Sequence, residues 1–574
     1  MMRRCVLPLL AICALAVTLR TVWLRADPPV ADAVGIVWHD EGAWVHNARN
    51  RALWGEWRTD RWNPVFVAPV FTALEYASFE TFGVGTWQAR LVPVVSGLVA
   101  VLALAAGLFS LAGRRAALVG ALLLAVNYPF VMWNRAALME STLTALIVAA
   151  WAAYALGGRR PGWGVVAGVA AVLAWFTKAS AAFFIGALLV VSALAFMRSA
   201  ADPEATSTDE PADRRLSTMT LAGLAAAALL IGAVFVLPHW QEYSFYNWQM
   251  SVTRKPEYTI KALVDRASWL PVVQGIFSRM PLVTAAGLFG LVGVVARWRT
   301  AAPSERLLVL WVGIGLAELV VHDSGNERRY VMFIPALVAL ASLVLTRMVT
   351  ATSSRSNQVL PRTLADDAFM AAALLPSLYL VAGTLLRPVF LAQIEAGDLK
   401  TVVRLSAVVA VMGALALWHW RGVLSAIVEP RVPAFWLTAA LILSVVWNGV
   451  EFASWARHRT YVNYDASVAV GRLLPPGTLV HGKLANGLSL ENRIRPVFVG
   501  NGFGNYDDRL GRDDVRYILT YDLPAIGYES SNGSGLIQGI LDQYPNRRTI
   551  ASFDVDETSA PDRAVLIDKR PAGP

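Results

Sequence analysis

Two long apolar runs follow one another in this sequence: RLVPVVSGLVAVLALAAGLFSLA at residues 90–112 and RAALVGALLLAVNYPFVMW at residues 115–133. A helix of roughly 17 to 25 residues crosses the ~30 Å hydrocarbon core of a bilayer, so each run is long enough to span a membrane. Gly113 and Arg114 separate the runs, and Arg115 begins the second. The pattern therefore predicts two membrane helices joined by a short basic turn.

Apolar runs of this kind recur along most of the chain. Of its 574 residues, 56% are hydrophobic and only 16% are charged, which excludes an ordinary soluble protein. We predict an α-helical polytopic membrane protein with about thirteen transmembrane helices. The predicted spans lie near residues 5–24, 90–112, 115–133, 139–157, 162–177, 179–197, 218–238, 281–296, 305–321, 330–346, 368–386, 402–420 and 434–455.

Basic residues are concentrated in alternate turns between these spans. Cytoplasmic turns carry an excess of Lys and Arg, so we predict a cell-membrane protein whose basic turns and N-terminus face the cytoplasm. Topology thereby explains the formal net charge of +9, and no nucleic-acid partner is needed. The first run is also compatible with a cleaved signal peptide. The basic turns contain Arg3, Arg4, Arg114, Arg115, Arg159, Arg160, Arg198, Arg214, Arg215, Arg297, Arg299, Arg347, Arg421 and Arg431.

The composition changes near residue 457 to that of a soluble domain. Helical patterns such as residues 465–474 alternate there with short β-like runs. With an odd number of spans, this segment lies outside the cytoplasm. We therefore predict a transmembrane domain at 1–456, with a long outer loop at 25–89, and a small extracytoplasmic α/β domain at 457–574. The β-like runs are residues 478–481, 496–499, 515–521, 550–555 and 564–568.

A pair of adjacent acids, Asp40 and Glu41, follows the first span at the outer interface. The low-dielectric boundary can tune a carboxylate there to act as a base. The same acids are also typical of a helix N-terminus, where they would only cap the helix. Apolar residues at helical spacing follow from Trp44 to Trp57, interspersed with arginines, which predicts an interfacial helix lying along the membrane.

Further ionisable side chains lie at the outer ends of the predicted spans. Each long basic side chain could simply extend to the interface, but the set as a whole contains both acids and cations on one side of the membrane. Acids can take a proton from an acceptor hydroxyl, and cations can stabilise a departing lipid phosphate. This chemistry is compatible with a divalent metal but does not require one. The set comprises Arg90, Arg135, Glu140, Lys178, Arg328 and Arg329.

Five short patches resemble the GT-C superfamily of membrane glycosyltransferases, in particular its protein O-mannosyltransferase and aminoarabinose-transferase branch. They are His39-Asp40-Glu41-Gly42, Ala89-Arg90-Leu91-Val92-Pro93 with Ser96-Gly97, Asn134 through Glu140, Thr177-Lys178, and Arg329-Tyr330-Val331 running to Pro335-Ala336-Leu337. Their order, side and spacing extend over about the first 340 residues.

The resemblance implies a GT-C fold and an inverting transfer of a sugar from a polyprenyl-phosphate donor to a hydroxyl. In that family pattern Asp40 takes the acceptor proton, Glu41 orients it, and Glu140 is the second acid. The donor phosphate would be bound by Arg90, with Lys178, Arg329 and Arg135 as further candidates.

Two departures from the family pattern bear on the substrate. The segment Phe66-Val67-Ala68-Pro69 lacks the Lys that aminoarabinose transferases carry beside the Pro. The C-terminal segment lacks the Trp-Trp-Asp motif of oligosaccharyltransferases, which favours transfer of a single sugar. The acceptor is a protein, a lipid or a cell-envelope glycan, and residue types do not distinguish these. The alternative function is a flippase or transporter of polyprenyl-linked glycans, although no internal repeat of the kind common in transporters is evident.

Overall fold

The fold is seen in a computed structural model. It describes residues 3–29, 37–57, 63–200, 212–252, 257–273, 275–322, 327–350, 364–419, 433–497, 514–521, 541–555 and 562–570.

Every predicted apolar run forms a helix in the part of the chain that the structure describes. These helices are α1 (Arg3–Thr21), α4 (Thr86–Val126), α6 (Met139–Gly157), α7 (Trp163–Trp175), α8 (Ala182–Ala200), α9 (Ala212–Ile231, continued by a π-helical turn Gly232–Val236), α12 (Pro281–Ala296), α13 (Pro303–His322), α14 (Ile334–Thr350), α15 (Leu364–Leu386), α17 (Leu399–His419) and α18 (Ala434–His458).

Helix α4 contains the apolar run 90–112 and the larger part of the run 115–133, whose last residues form the short helix Tyr128–Trp133. Gly113 interrupts it with φ 81° and ψ −168°. A Cβ built on Gly120 would lie 2.2 Å from Cδ1 of Leu108, although twelve residues of straight helix would span about 18 Å. The two halves of α4 therefore fold back on each other at Gly113, and the predicted pair of helices joined by a basic turn is confirmed.

Eight helices among the described residues are long and apolar enough to cross a membrane, with α4 counted once. The residues Val6–Thr21, Trp163–Trp175 and Pro281–Ala296 form shorter apolar helices. A multi-pass membrane protein is therefore confirmed, whereas the number of thirteen spans stays a prediction.

Several short helices lie in the connections between these spans. They are α2 (Val37–Trp54), a 3-10 helix Pro64–Phe66, α3 (Pro69–Phe82), α5 (Tyr128–Trp133), a 3-10 helix Ala179–Ala181, α10 (Trp240–Val252), α11 (Ile260–Val273), a 3-10 helix Glu327–Phe333 and α16 (Leu391–Glu395).

A small C-terminal sheet is confirmed, whereas the domain boundary near residue 457 stays a prediction. The sheet has the strand order β2-β1-β3-β5-β4, with β1 parallel to β2 and β3, and β5 antiparallel to β3 and β4. Each strand coincides with a predicted β-like run. The elements are α19 (Val462–Leu473), β1 (Leu479–His481), α20 (Lys483–Gly487), β2 (Arg495–Val497), β3 (Tyr517–Tyr521), β4 (Arg548–Val555) and β5 (Asp562–Asp568).

Helix α2 is covered by protein over much of its length. All ten residues from 41 to 50 are buried, because the C-terminal domain packs on this helix through α20 and the loop that follows it. Amphipathic spacing indicates that one face of a helix is apolar but not whether lipid or protein covers it. The position of α2 relative to the membrane stays a prediction, and protein rather than lipid covers residues 41–50.

Candidate active site

Four charged side chains from distant parts of the chain meet at the predicted outer ends of the helices. Asp40 lies in the first turn of α2, and Glu140 lies in the first turn of α6. Lys178 occupies the break between α7 and α8, and Arg328 belongs to the 3-10 helix before α14. Each residue stands at a helix end or a helix break, so the fold collects them at one level.

Arg328 joins the two acids of this cluster. Its Nη1 donates to Oδ2 of Asp40 at 2.7 Å, and its Nε lies 3.4 Å from Oε1 of Glu140. Nζ of Lys178 donates to the same Oε1 of Glu140 at 2.5 Å. Asp40 and Lys178 are thus connected through Arg328 and Glu140.

The members of the cluster differ in exposure. The side chains of Asp40 and Lys178 are 14% and 17% exposed, whereas those of Arg328 and Glu140 are 8% and 4% exposed. A ligand can therefore reach Asp40 more easily than the other carboxylate, and Lys178 more easily than the other cation. Arg328 and Glu140 lie behind them and fix their positions.

Lys178 is titratable near neutral pH. Burial lowers the pKa of its ammonium group to about 8; Glu140 opposes this shift, and the charges of Arg328 and Arg329 add to it. Arg329 is half-buried. Lys178, Arg328 and Arg329 together place positive charge around Glu140.

Glu41 and Arg90 form a separate, buried ion pair. Nε and Nη2 of Arg90 donate to the two carboxylate oxygens of Glu41 at 2.9 and 2.7 Å, a bidentate arrangement. Oε1 of Glu41 also accepts from the backbone N–H of Ala137 at 2.6 Å. Nη1 of Arg90 donates to the carbonyl oxygens of Leu24 and Ala26. The pair therefore ties α2 to α4 and to the turn before α6.

Arg135 caps the end of α1. Its Nη1 and Nη2 donate to the carbonyl oxygens of Leu19 and Trp23 at 3.0 and 2.9 Å, and its guanidinium lies 4.6 Å from the ring centre of Trp455. Burial lowers its pKa to about 9, with a further contribution from the charge of Arg90. The predicted phosphate contacts of Arg90 and Arg135 stay predictions, and this geometry directs both side chains to protein partners.

An apolar cavity of about 540 Å³ lies between α11, α12, α13 and α15. Aliphatic side chains such as Leu270, Leu288, Leu316 and Leu380 line it, together with Gly313. Its lining extends to Val321 near the end of α13, the helix that precedes Arg328. The cavity has the character of a site for a hydrocarbon chain.

A family of known enzymes matches the segment that contains two of the four cluster residues, Glu140 and Lys178. The family model of dolichyl-phosphate-mannose-protein mannosyltransferases matches residues 66–205. No curated protein sequence matches the chain at a significant level.

Solved structures match nearly the whole chain. ArnT from Cupriavidus metallidurans bound to undecaprenyl phosphate gives a TM-score of 0.52 at 18% identity, covering 98% of this chain and 99% of that chain. The apo state of ArnT gives 0.54 at 18% identity, covering 98% of both chains. The chain has the GT-C fold. An Archaeoglobus fulgidus oligosaccharyltransferase is less similar, with a TM-score of 0.44 at 13% identity, covering 90% of this chain and 69% of that chain.

The predicted resemblance to GT-C membrane glycosyltransferases is thus confirmed by the fold and by the match of residues 66–205 to a mannosyltransferase family. Of the predicted site residues, Asp40, Glu140 and Lys178 meet in one cluster, with Arg329 beside them. Glu41, Arg90 and Arg135 lie in the contacts that surround this cluster. Their individual roles stay predictions.

Two buried acids of this GT-C chain have no signal in the sequence. Glu75 on α3 is fully buried, and neither of its carboxylate oxygens has a hydrogen-bond partner among the described residues. Glu327 pairs with Arg279 and accepts from Nε1 of Trp133. Neither acid belongs to a recognisable motif, so only the folded arrangement shows that they lie inside the protein. In the described residues, no three His, Cys, Asp or Glu side chains are grouped to hold a metal ion.

Proposed function

We propose that this protein transfers a single sugar from a polyprenyl-phosphate donor to a hydroxyl acceptor at the outer face of the cell membrane, with inversion at the anomeric carbon. The observation that carries the proposal is the bridge from Asp40 through Arg328 and Glu140 to Lys178. It combines an accessible carboxylate with accessible positive charge, and the transfer needs both.

Asp40 acts as the general base in this mechanism. The acceptor oxygen attacks the anomeric carbon while its proton passes to a carboxylate oxygen of Asp40. The bond between that carbon and the phosphate oxygen breaks on the opposite face, and polyprenyl phosphate leaves with the bonding electrons. Arg328 holds Asp40 in place through Oδ2.

Lys178, Arg328 and Arg329 stabilise the charge that develops on the departing phosphate. Glu140 fixes Lys178 and Arg328 through its Oε1 and prevents the cations from repelling one another. The Glu41–Arg90 pair and Arg135 hold α2, α4 and the turn before α6 in register. We assign these residues to positioning rather than to phosphate contact, because protein groups occupy their donors.

Two observations support a lipid-linked donor. The apolar cavity between α11, α12, α13 and α15 has the volume and lining that an isoprenoid chain needs. ArnT, which shares the fold, binds undecaprenyl phosphate, and the matched family uses dolichyl-phosphate-mannose. The identity of the sugar stays open. The acceptor is a protein, a lipid or a cell-envelope glycan.

The test is release of sugar from a radiolabelled polyprenyl-phosphate hexose by the purified protein in detergent, with crude envelope or water as acceptor. We expect transfer or slow hydrolysis by the wild type and a loss of about 10²-fold or more in Asp40→Asn, since the amide cannot accept the proton. Glu80→Gln is the matched control, because Glu80 is an exposed acid on the same outer loop.

Three results are informative. Full activity in a folded Asp40→Asn protein would overturn the assignment of the base while leaving the enzyme class intact. Equal losses in Asp40→Asn and Glu80→Gln would point to general damage to the loop. Absence of turnover with every polyprenyl-phosphate sugar would favour a different donor or the alternative function in transport.

A further inference from the structure

One loop of the C-terminal domain contacts α2, the helix that contains the proposed base Asp40. This loop, residues 486–494, runs from the end of α20 to the start of β2 and is called the clamp loop below. It contacts α2 and the first turn of α4. These are the two helices that contribute Glu41 and Arg90.

Arg49 makes the strongest of these contacts. It is fully buried, its Nε donates to the carbonyl oxygen of Ser489 at 3.1 Å, and its Nη2 donates to the carbonyl oxygens of Asn492 and Ile494, both at 3.0 Å. These hydrogen bonds pair the buried cation with backbone carbonyl dipoles rather than with a carboxylate. A contact of this kind depends on the planar fork of the guanidinium, which neither Lys nor Gln reproduces.

The clamp loop also lies directly against the backbone of α2. A Cβ on Gly42 would come within 1.9 Å of the carbonyl oxygen of Asn486, so only glycine allows this approach. The side chain of Asn486 lies 2.9 Å from Nδ1 of His46, which is also buried. Gly42, His46 and Arg49 therefore form one continuous contact face of α2, immediately after Asp40 and Glu41.

A carboxylate of the same loop holds the partner helix. Oε1 of Glu491 accepts a hydrogen bond from the backbone N–H of Thr86 at 2.7 Å. Thr86 begins α4, and Arg90 lies one turn further along that helix. The clamp loop therefore fixes both sides of the Glu41–Arg90 ion pair from outside the transmembrane domain.

We propose that the clamp loop positions the Glu41–Arg90 pair, and through it Asp40, with Arg49 as the principal positioning residue. The C-terminal domain is then a structural part of the active site. This proposal rests on the proposed function for its kinetic consequences, but its structural consequence can be measured without any substrate.

Hydrogen exchange in the full-length protein gives the structural test. We expect amides of residues 41–50 to exchange about tenfold faster or more in Arg49→Gln than in wild type, because three hydrogen bonds to the clamp loop are lost. Arg51→Gln is the matched control, since Arg51 lies on the same helix but is exposed. Unchanged exchange in Arg49→Gln, or an equal increase in both variants, would overturn the proposal.

Kinetics of the same variants give the second test. A shift of about 1 Å in a catalytic group can cost about 10²-fold in rate. We therefore expect kcat to fall by about that factor in Arg49→Gln while KM for the donor changes less than about twofold. Arg49→Lys should not restore kcat. A rise in KM with unchanged kcat would show that the clamp loop affects binding and would overturn the positioning role.

Glu491→Ala gives an independent variant if Arg49→Gln does not fold. It removes the contact with Thr86 and leaves the three carbonyl contacts of Arg49 in place. We expect faster exchange at the start of α4 and a smaller fall in kcat of about tenfold. Normal exchange and normal kcat in a folded Glu491→Ala protein would contradict the proposal. If wild type has no activity, the proposed function fails while the exchange measurement still decides the role of the clamp loop.

Discussion

Glu75 is an acid enclosed by protein, and none of the described residues is a partner that would stabilise its charge. Burial, together with the nearby charge of Glu41, raises the pKa of its carboxyl group well above the ordinary value. The folded protein therefore retains a proton on Glu75 at pH values where the unfolded chain has lost it. A residue of this kind lowers stability at neutral pH.

Replacing Glu75 by Gln should stabilise the protein, and the effect should depend on pH. Above the unfolded pKa of about 4.3 the unfolded chain binds fewer protons than the folded protein, so wild-type stability falls as pH rises towards the raised pKa. We expect the free energy of unfolding of Glu75→Gln at pH 8 to exceed that of wild type by about 1 kcal/mol or more. The difference should shrink at pH 5. Thermal unfolding in detergent at both pH values measures this, with Glu80→Gln on the same helix as control. A constant difference at both pH values would contradict the explanation.

The lowered pKa of Lys178 predicts how the activity changes at alkaline pH. Its pKa of about 8 means that the ammonium group loses its charge as pH rises through that value, and the donor phosphate then loses one cation. We expect KM for the donor to rise above pH 8 in wild type but not in Lys178→Arg, since Arg stays charged. Donor titrations between pH 6.5 and 9.5 measure this, and Lys261→Arg, at an exposed position, is the control. The same alkaline rise in Lys178→Arg would assign the titration to another group.

The sequence does not show which acid forms a hydrogen bond with which cation. Asp40 and Arg328 are 288 positions apart, yet their side chains share a 2.7 Å hydrogen bond. Their positions at predicted span ends predict that both lie on the outer side, which is as far as a topological argument extends. Which acid meets which cation depends on how the helices pack, and residue types do not determine that.

At the scale of elements, local patterns are informative because helix and strand periodicities are short-range. The apolar runs and the five β-like runs were therefore predicted correctly, including both halves of α4. The environment of α2 was not, because the face with Gly42, His46 and Arg49 is covered by residues 486–494, which lie more than four hundred positions away. Amphipathicity describes the face of an element and contains no information about what covers it.

The turn at Gly113 predicts a position where only glycine is tolerated. Its φ of 81° with ψ of −168° falls in a region that other residues adopt at a cost of about 1–3 kcal/mol. We expect Gly113→Ala to reduce the free energy of unfolding by about this amount, measured by thermal unfolding. Gly162→Ala is the control, because Gly162 has φ −57° and its Cβ would meet open space. Equal stability of both variants would contradict the strained turn.

The apolar cavity predicts a dependence on the length of the lipid chain. A Cβ on Gly313 would point into open space, so Gly313→Leu should fill part of the cavity without displacing the protein. We expect KM for a long-chain polyprenyl donor to rise about tenfold, the scale of one displaced methylene group in an apolar pocket. KM for a donor with a two-isoprene chain should stay within about twofold of wild type. Gly186→Leu on α8, also beside open space, is the control, and equal changes for both donors would argue against a lipid site.

At the scale of the whole molecule, the proposed reaction requires that every acid and cation of the cluster lies on the same side of the membrane. The basic turns, such as Arg114 with Arg115 and Arg159 with Arg160, predict that this side is extracytoplasmic. The fold alone is compatible with either orientation, because inversion of the whole molecule leaves every internal contact unchanged. Orientation is therefore a separate prediction that the charges of the turns support.

Single cysteines test this orientation directly, since Cys5 and Cys13 are the only cysteines and can both be replaced by Ser. In intact cells, a membrane-impermeant maleimide should label Glu80→Cys in the outer loop and Arg563→Cys in the C-terminal domain. Arg159→Cys should react only after the membrane is opened, because its turn faces the cytoplasm. All three positions are exposed, so access to the reagent depends on the side of the membrane rather than on burial. Labelling of Arg159→Cys alone in intact cells would invert the topology and place Asp40, Glu140 and Lys178 on the cytoplasmic side, where an outer-face transfer could not take place.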